Sequence, residues 1–274
     1  RLRCDWSSDV CSSDLTEHLE DVEVSPWTMP EEDALVIGPQ CKTPWKVRGP
    51  VGMSAMSYGA LGENAISSMS YGLGMATGSW VHTGEGGLAP YHTIGGGDVI
   101  MQIGSGIFGV RNKDGSFSWD KFKEKAANPQ LRCFEIKLAQ GAKIRGGHVE
   151  GSKINEEIAA IRGVEPWKTV DSPNRHNQFH DLASLFDFID EMRSKGGKPV
   201  GIKMVMGGSD GADDLARFMS ETGRGPDYIT VDGGEGGSGA TYQEMADSMG
   251  VPIKSGLIYC DDSLSSEEPR CGHE

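Results

Sequence analysis

Two lysines, Lys137 and Lys203, stand near the C-terminal ends of otherwise apolar runs, "LRCFEIKLA" and "KPVGIKMVM". An ammonium inside an apolar strand is costly to bury without a partner. Two readings account for such a residue. One is an inward lysine neutralised by a neighbouring carboxylate such as Glu135. The other is a cation aimed at an anionic group, either a substrate carboxylate or a reduced ring system. Two glycine-rich runs accompany the lysines: "HTGEGG" at 82–87, and "VDGGEGGSGA" at 231–240, with five glycines in ten residues at the end of the apolar run "DYITV". Clusters of this kind mark tight turns or places where backbone must approach something closely, and each alone is a weak signal.

The elements that must position these residues alternate in type. "PVGMSAM" reads as a short strand, followed by a helix from Glu63 to about Met75 with Ala65, Ile66, Met69 and Leu73 at spacings of three and four. "SWVHTG" and "DVIMQIG" read as strands, "SWDKFKEKAAN" as a helix with Ser118 as N-cap, and "LRCFEIKLA" as a buried strand. A polar loop and the helix "NEEIAAIRG" follow. The clearest helix runs from Asp181 to about Ser194, its stripe Leu182, Leu185, Phe186, Ile189 and Met192 ended by Gly196–Gly197. Strand "KPVGIKMVM", helix "DGADDLARFMSETG" and strand "DYITVDGG" complete the series.

Short apolar strands alternating with amphipathic helices predict right-handed βαβ units and a parallel sheet. About six strands are counted, and a closed eight-stranded barrel takes about 250 residues. The expected fold is therefore a (β/α)8 TIM barrel truncated after about six strands. In such barrels chemistry sits on the loops after the strands. That gathers Ser54, Ala55, Met56 and Ser57, then His82 to Gly87, then Gln102, Gly104 and Ser105. It adds Lys137, Gln140, Lys143, Arg145 and His148, then Lys203, then Asp232 to Gly239.

Composition bounds the partners. Hydrophobic residues make up 37% of the 274, and no apolar run reaches the roughly 18 residues of a spanning helix. The formal charge of -14 argues against nucleic acid or an anionic membrane surface as partner. Cys4, Cys11, Cys41, Cys133, Cys260 and Cys271 show neither disulfide-framework nor zinc-site spacing, so a reduced cytoplasmic protein with no metal ligands is expected. "DWSSDVCSSDL" looks like one reading frame of a sequencing-library adapter, and residues 1–15 are set aside from fold reasoning. Residues 16–50 read as an acidic lead-in, 51–259 as the barrel and 260–274 as an uncertain polar tail.

The motifs "MSAMSYGALGENA", "HTGEGG", "QIGSGIFGV", "EIKLAQGAK", "PVGIKMV" and "VDGGEGGSGA", in this order, resemble the FMN-binding domain of glutamate synthases, over about Val51 to Tyr259. The short, stand-alone glutamate synthase-like proteins are the most similar members. The resemblance implies a (β/α)8 barrel holding FMN that reduces 2-iminoglutarate, formed from 2-oxoglutarate and ammonia, to L-glutamate. It implies that Ser54, Ala55 and Met56 lie beside the isoalloxazine ring, and that Thr83 and Glu85 sit at flavin and substrate. Gln102 would contact the flavin. Lys137, Gln140 and Lys203 would form the polar set at its pyrimidine end and at the oxo-acid carboxylates. Gly233, Gly234, Gly236 and Gly237 would belong to the loop passing close to the cofactor. Lys137, Lys203 and Glu85 are the catalytic candidates.

The implied partners are ammonia, free or derived from glutamine, and a ferredoxin or other electron-donor subunit; an oligomer is compatible with this reading. The family's phosphate-binding loops and its three cysteines for a [3Fe-4S] cluster would lie beyond residue 274. Where the large enzymes carry "GRFGV" and a "PGEGGQLPG"-like loop, this chain has "GIFGV", with Ile107, and "IRGGHVEG". An N-methylglutamate synthase-like activity, another FMN barrel such as a 2-hydroxy-acid oxidase or an IMP-dehydrogenase-like protein, and an inactive scaffold subunit remain as alternatives.

Overall fold

The computed structural model describes residues 28–141, 147–235 and 250–267. A hairpin comes first, β1 (Leu35–Ile37) against β2 (Trp45–Val47), antiparallel. Then follow α1 (Glu63–Met75), β3 (Trp80–His82), the short α2 (Pro90–Thr93), β4 (Asp98–Ile103), α3 (Trp119–Ala126) and β5 (Leu131–Lys137). A second antiparallel pair, β6 (His148–Val149) and β7 (Val170–Asp171), brackets α4 (Glu156–Arg162). The chain continues through α5 (Leu182–Gly196), β8 (Val200–Val205), α6 (Asp210–Thr222), β9 (Ile229–Asp232) and α7 (Ile253–Glu267).

Five strands form one parallel sheet in the order β3-β4-β5-β8-β9, curled as half of a barrel with helices outside. The predicted helices lie where their caps and stripes put them. Ser118 accepts from the backbone N–H of Lys121, Asn155 from that of Ile158, and Asp181 exchanges a reciprocal pair of bonds with Ser184. The outward strand residues Val81, Val99, Met101, Ile103, Phe134, Ile136 and Ile202 are fully buried against Phe122, Phe186, Ile189 and Met192. Each such side chain contributes roughly 1.5–3 kcal/mol by leaving water.

Three expectations need correction. "PVGMSAM" is not a strand: it runs extended beside β3, joined through Met53 N–H to Trp80 O at 2.9 Å and Met56 N–H to His82 O at 3.3 Å. The count of parallel strands among the described residues is therefore five, not about six. The polar stretch from Cys260 is not a tail as far as Glu267, because α7 continues through it. There Cys260 and Ser263 are buried, and the Ser263 hydroxyl donates to Asp213 of α6 at 2.5 Å.

The inner face of the sheet is layered by strand alternation. At the bottom Ile100 and Cys133 pack with half-buried Trp80 and Tyr228 beneath Trp45 of the hairpin. The Trp45 indole N–H donates to Asp98 at 2.8 Å, so the lead-in closes the lower end of the half-barrel. A polar middle layer holds His82, Gln102, Glu135 and Thr230. Lys137, Lys203 and Asp232 form the top, at the C-terminal ends of the strands. Among the described residues, no helix is long and apolar enough to cross a membrane.

Candidate active site

The top layer opens into a cavity of about 310 Å³, within the size range of small-molecule pockets. Seven of the residues that the resemblance assigns to flavin or substrate line it: Ala55, Met56, Glu85, Gln102, Lys137, Gln140 and Lys203. Parallel pairing of β5 with β8 makes Lys137 and Lys203 register partners, which brings the two ammonium-bearing chains side by side. Each has its own carboxylate. Lys137 Nζ lies 3.2 Å from Glu85 Oε1 and donates to Gln140 Oε1 at 2.9 Å. Lys203 Nζ lies 3.2 Å from Asp232 Oδ2. Neither lysine pairs with Glu135, the carboxylate the sequence singled out for that purpose. Glu135 is engaged in the layer below.

Glu85 is carried by a tight 3-10 turn, Gly84–Gly86, directly after β3. Its position depends on a glycine across the cleft: a Cβ at Gly104 would lie 2.4 Å from Glu85 Oε2. Thr83, expected at the flavin, is fully buried and does not line the cavity. Its hydroxyl donates to Gly84 O at 2.8 Å and accepts from the Gln102 N–H at 3.1 Å, so it shapes the turn. Ser54 is exposed and lies off the cavity wall.

Gly233 and Gly234 also stand away from the cavity lining. What Gly233 admits is backbone: a Cβ on Gly141 would lie 1.7 Å from Gly233 O, so the exits of β5 and β9 touch as glycine on glycine. Gly236, Gly237, Lys143 and Arg145 lie outside the described residues. Ile107, where the resemblance led to the expectation of an arginine, is buried in the main core with φ 45, a backbone region β-branched residues seldom adopt. His148 does reach the cavity, on β6, held by Asp171 of β7 at 2.6 Å.

Sequence reasoning missed Arg162, at the end of α4. The residue is 3% exposed and lines the cavity, its guanidinium 5.1 Å from the Phe108 ring centroid. Nη2 donates to Tyr58 O at 3.2 Å, whereas Nε is buried with no partner and no carboxylate lies within ion-pair distance, both among the described residues. Burial lowers its pKa and the nearby charge of Glu85 opposes that shift. A buried guanidinium with spare donors has the fork geometry that carboxylates and phosphates match. The signal available in sequence was a basic residue on the apolar side of "NEEIAAIRG", next to Ile158.

Residues 13–271 match the conserved region in glutamate synthase. The chain belongs to the glutamate synthase family. It is 50% identical over 249 residues to the glutamate synthase large subunit-like protein YerD of Bacillus subtilis, covering 90% of this chain and 47% of that protein. It is 32% identical over 226 residues to the archaeal-type glutamate synthase [NADPH] of Thermotoga maritima, covering 81% of this chain and 41% of the relative. With the glutamate synthase [NADH] of Schizosaccharomyces pombe it shares 32% identity over 220 residues, 77% of this chain and 10% of the other. The chain thus spans about half or less of the length of these relatives.

Cys260 is buried under α6 and burial pushes its thiol pKa up, which disfavours a thiolate nucleophile. Among the described residues, no group of three or more His, Cys, Asp or Glu is placed to hold a metal ion.

Proposed function

We propose that the chain carries the flavin-binding part of a glutamate synthase-type oxidoreductase, and that it reduces 2-iminoglutarate, formed from 2-oxoglutarate and ammonia, to L-glutamate. The observation that carries the reading is the convergence of Lys137, Lys203 and Arg162 on one cavity whose partner carboxylates are Glu85 and Asp232. Family membership supports the same class of reaction. The half-barrel would form part of a complete (β/α)8 barrel, and the relatives' greater length supports that.

The donor set suits FMN. The Lys137–Lys203 pair provides a cationic edge for the electron-rich pyrimidine end of a reduced isoalloxazine, and Gln102 and Gln140 add amide groups. When bound, reduced flavin supplies a hydride equivalent to the imine carbon. The chain's own residues bind and orient. Arg162 takes a substrate carboxylate by charge-assisted hydrogen bonds. Lys137 stabilises negative charge at the ring edge or at the second carboxylate. Glu85, 3.2 Å from Lys137, faces the cationic imine nitrogen, where a carboxylate favours the protonated, more electrophilic form. Electrons would come from a ferredoxin or other donor subunit, and the setting would be cytoplasmic.

The test is spectroscopic and uses the full-length protein. Its visible spectrum reports bound flavin, and photoreduced enzyme mixed anaerobically with 2-oxoglutarate and ammonia should reoxidise as glutamate forms. Bound flavin that stays reduced would reject 2-iminoglutarate and direct the search to other imines, methylamine-derived ones first. A colourless protein would reject the cofactor.

A further inference from the structure

We propose that Glu135 and His82, beneath the cavity, are positioning residues: Glu135 fixes the orientation of the His82 ring and the Gln102 amide, and His82 in turn anchors the turn that presents Glu85. Glu135 is 1% exposed, and its carboxylate is satisfied from three different strands. His82 Nε2 approaches Oε1 at 3.1 Å, Gln102 Nε2 donates to Oε1 at 2.6 Å, and the Thr230 hydroxyl donates to Oε2 at 2.6 Å. Two of these donors stand on strands that end in the cavity wall.

The proton arrangement follows from the bonds. The Gly84 backbone N–H donates to His82 Nδ1 at 3.2 Å, so Nδ1 carries no proton. Nε2 therefore bears the hydrogen and donates it to Glu135. An imidazolium, or the opposite tautomer, would set N–H against N–H at Gly84. The neutral Nε2–H ring is thus the form that satisfies both ends: Glu135 accepts from Nε2–H, and the Gly84 N–H disfavours a proton on Nδ1.

The consequence reaches the cavity by two routes. Gly84 opens the turn that carries Glu85, whose carboxylate meets Lys137 at 3.2 Å. Gln102 gives one amide N–H to Glu135, which fixes the orientation of that amide in the wall of the cavity it lines. This assignment of protons rests on the local geometry; only its effect on turnover rests on the reading of the preceding subsection.

Two substitutions separate the links. In His82→Asn the side-chain oxygen overlies the position of Nδ1, so the bond from Gly84 survives and the reach to Glu135 is lost. In His82→Gln the amide reaches Glu135 and the acceptor for Gly84 is lost. Glu135→Gln keeps the shape, with its carbonyl toward His82 and Gln102 and its amide toward Thr230, and removes the charge.

The first readout needs neither flavin nor substrate. Full-length protein labelled at the histidine ring nitrogens and the glutamate carboxyl carbons should show His82 by NMR as the neutral Nε2–H tautomer, with the Glu85 carboxyl carbon resonance displaced in His82→Gln and close to wild type in His82→Asn. Glu135→Gln should keep the Nε2–H tautomer, because its carbonyl still accepts from Nε2–H and the Gly84 N–H still faces Nδ1. The second readout is half-saturation by 2-oxoglutarate in the reductive reaction, expected to rise about tenfold in His82→Gln and less in His82→Asn, the scale of one lost hydrogen bond. An imidazolium or Nδ1–H form of His82, or equal Glu85 displacement in both variants, overturns the proposal. A correct NMR pattern without turnover on 2-oxoglutarate leaves the positioning intact and rejects the substrate.

Discussion

Lys137 and Lys203 are register partners across the β5–β8 ladder, and each ammonium lies 3.2 Å from a different carboxylate, Glu85 on one side and Asp232 on the other. Two cations held this close repel unless anions flank them, and the flanking pair leaves a site that is locally near neutral but strongly polar. Side-chain exposures of 12% for Lys137 and 13% for Lys203 place both at a partly desolvated wall, where charge acts more strongly than in water.

Lys203→Met should therefore lower turnover by about 10²–10³-fold, the range for losing one preorganised donor to developing negative charge. Flavin occupancy of the purified protein should fall as well. Lys203→Arg should not restore either, because a planar fork does not replace a point charge beside Asp232. Steady-state kinetics together with the visible spectrum decide the matter: unchanged occupancy and turnover in Lys203→Met would mean that the lysine serves only its ion pair.

Arg162 makes a separable contribution. Its guanidinium touches Tyr58 O and the Phe108 ring but no carboxylate among the described residues, so its charge is available to a ligand. Arg162→Met keeps bulk against Phe108 and removes the cation. The KM for the oxo acid should rise at least tenfold, with a smaller change in kcat, in line with the cost of truncating one partner of a buried charge pair. A variant whose KM is unchanged, with kcat alone reduced, would reject a carboxylate-binding role.

Much of this architecture was legible in the sequence because its signals are local. Ser118, Asn155 and Asp181 announce helix starts by their capping chemistry, and the Leu182–Met192 stripe announces which face is buried. The first strand was misread because "PVGMSAM" has the composition of a strand while only two of its N–H groups bond to β3. Cys260 and Ser263 were misread because a polar helix buries small residues that hydropathy scores as solvent-facing.

The site was legible where alternation is strict. "CFEIK" puts Cys133, Glu135 and Lys137 on one face, and the inward set was visible in principle as every second residue of the strand. Pairing partners were not, since register joins residues far apart in sequence. Hence Lys137 was offered Glu135, two positions away, when fold geometry supplies Glu85 across the cavity. Arg162 was harder to find for the same reason: its place on the apolar side of α4 is local, but that this side borders the cavity that Lys137 lines is not.

Acid should act on the middle layer. Burial by itself would raise the Glu135 pKa, but the hydrogen bond from His82, the positive charge of that ring when it is protonated, and the hydrogen bonds from Thr230 and Gln102 outweigh it and hold the group at about 2, below its ordinary 4.5. A depressed folded-state pKa contributes stability that is complete above the unfolded value and is lost as pH falls through the folded one. Wild type should therefore exceed Glu135→Gln in Tm at pH 6. That margin should shrink steadily between about pH 4.5 and pH 2. Calorimetry of both proteins across that window checks it, and a margin independent of pH would mean that Glu135 is not ionised in the folded state.

The last prediction concerns backbone contact between strand exits. Gly141 N–H bonds to Asp232 Oδ2 at 3.2 Å, and its Cα faces Gly233 O so closely that an added Cβ would lie 1.7 Å away. No rotamer relieves a clash with a carbonyl, so Gly141→Ala must push β5 and β9 apart. Overpacking of this kind costs about 1–3 kcal/mol, a fall in Tm of roughly 2–12 °C for a chain of this size. It should also lengthen the Lys203–Asp232 approach, because Asp232 stands next to Gly233. Gly72→Ala is the contrast. Gly72 lies inside α1 with nothing within 4 Å of an added Cβ, and there alanine should raise stability by about 0.5–1 kcal/mol through its higher helix propensity. Thermal denaturation of the two variants, with flavin occupancy measured alongside, separates them: opposite signs are expected, with loss of occupancy confined to Gly141→Ala. If Gly141→Ala matches wild type in both readings, the exits of β5 and β9 are not in backbone contact, and the position of Asp232 beside Lys203 must have another support.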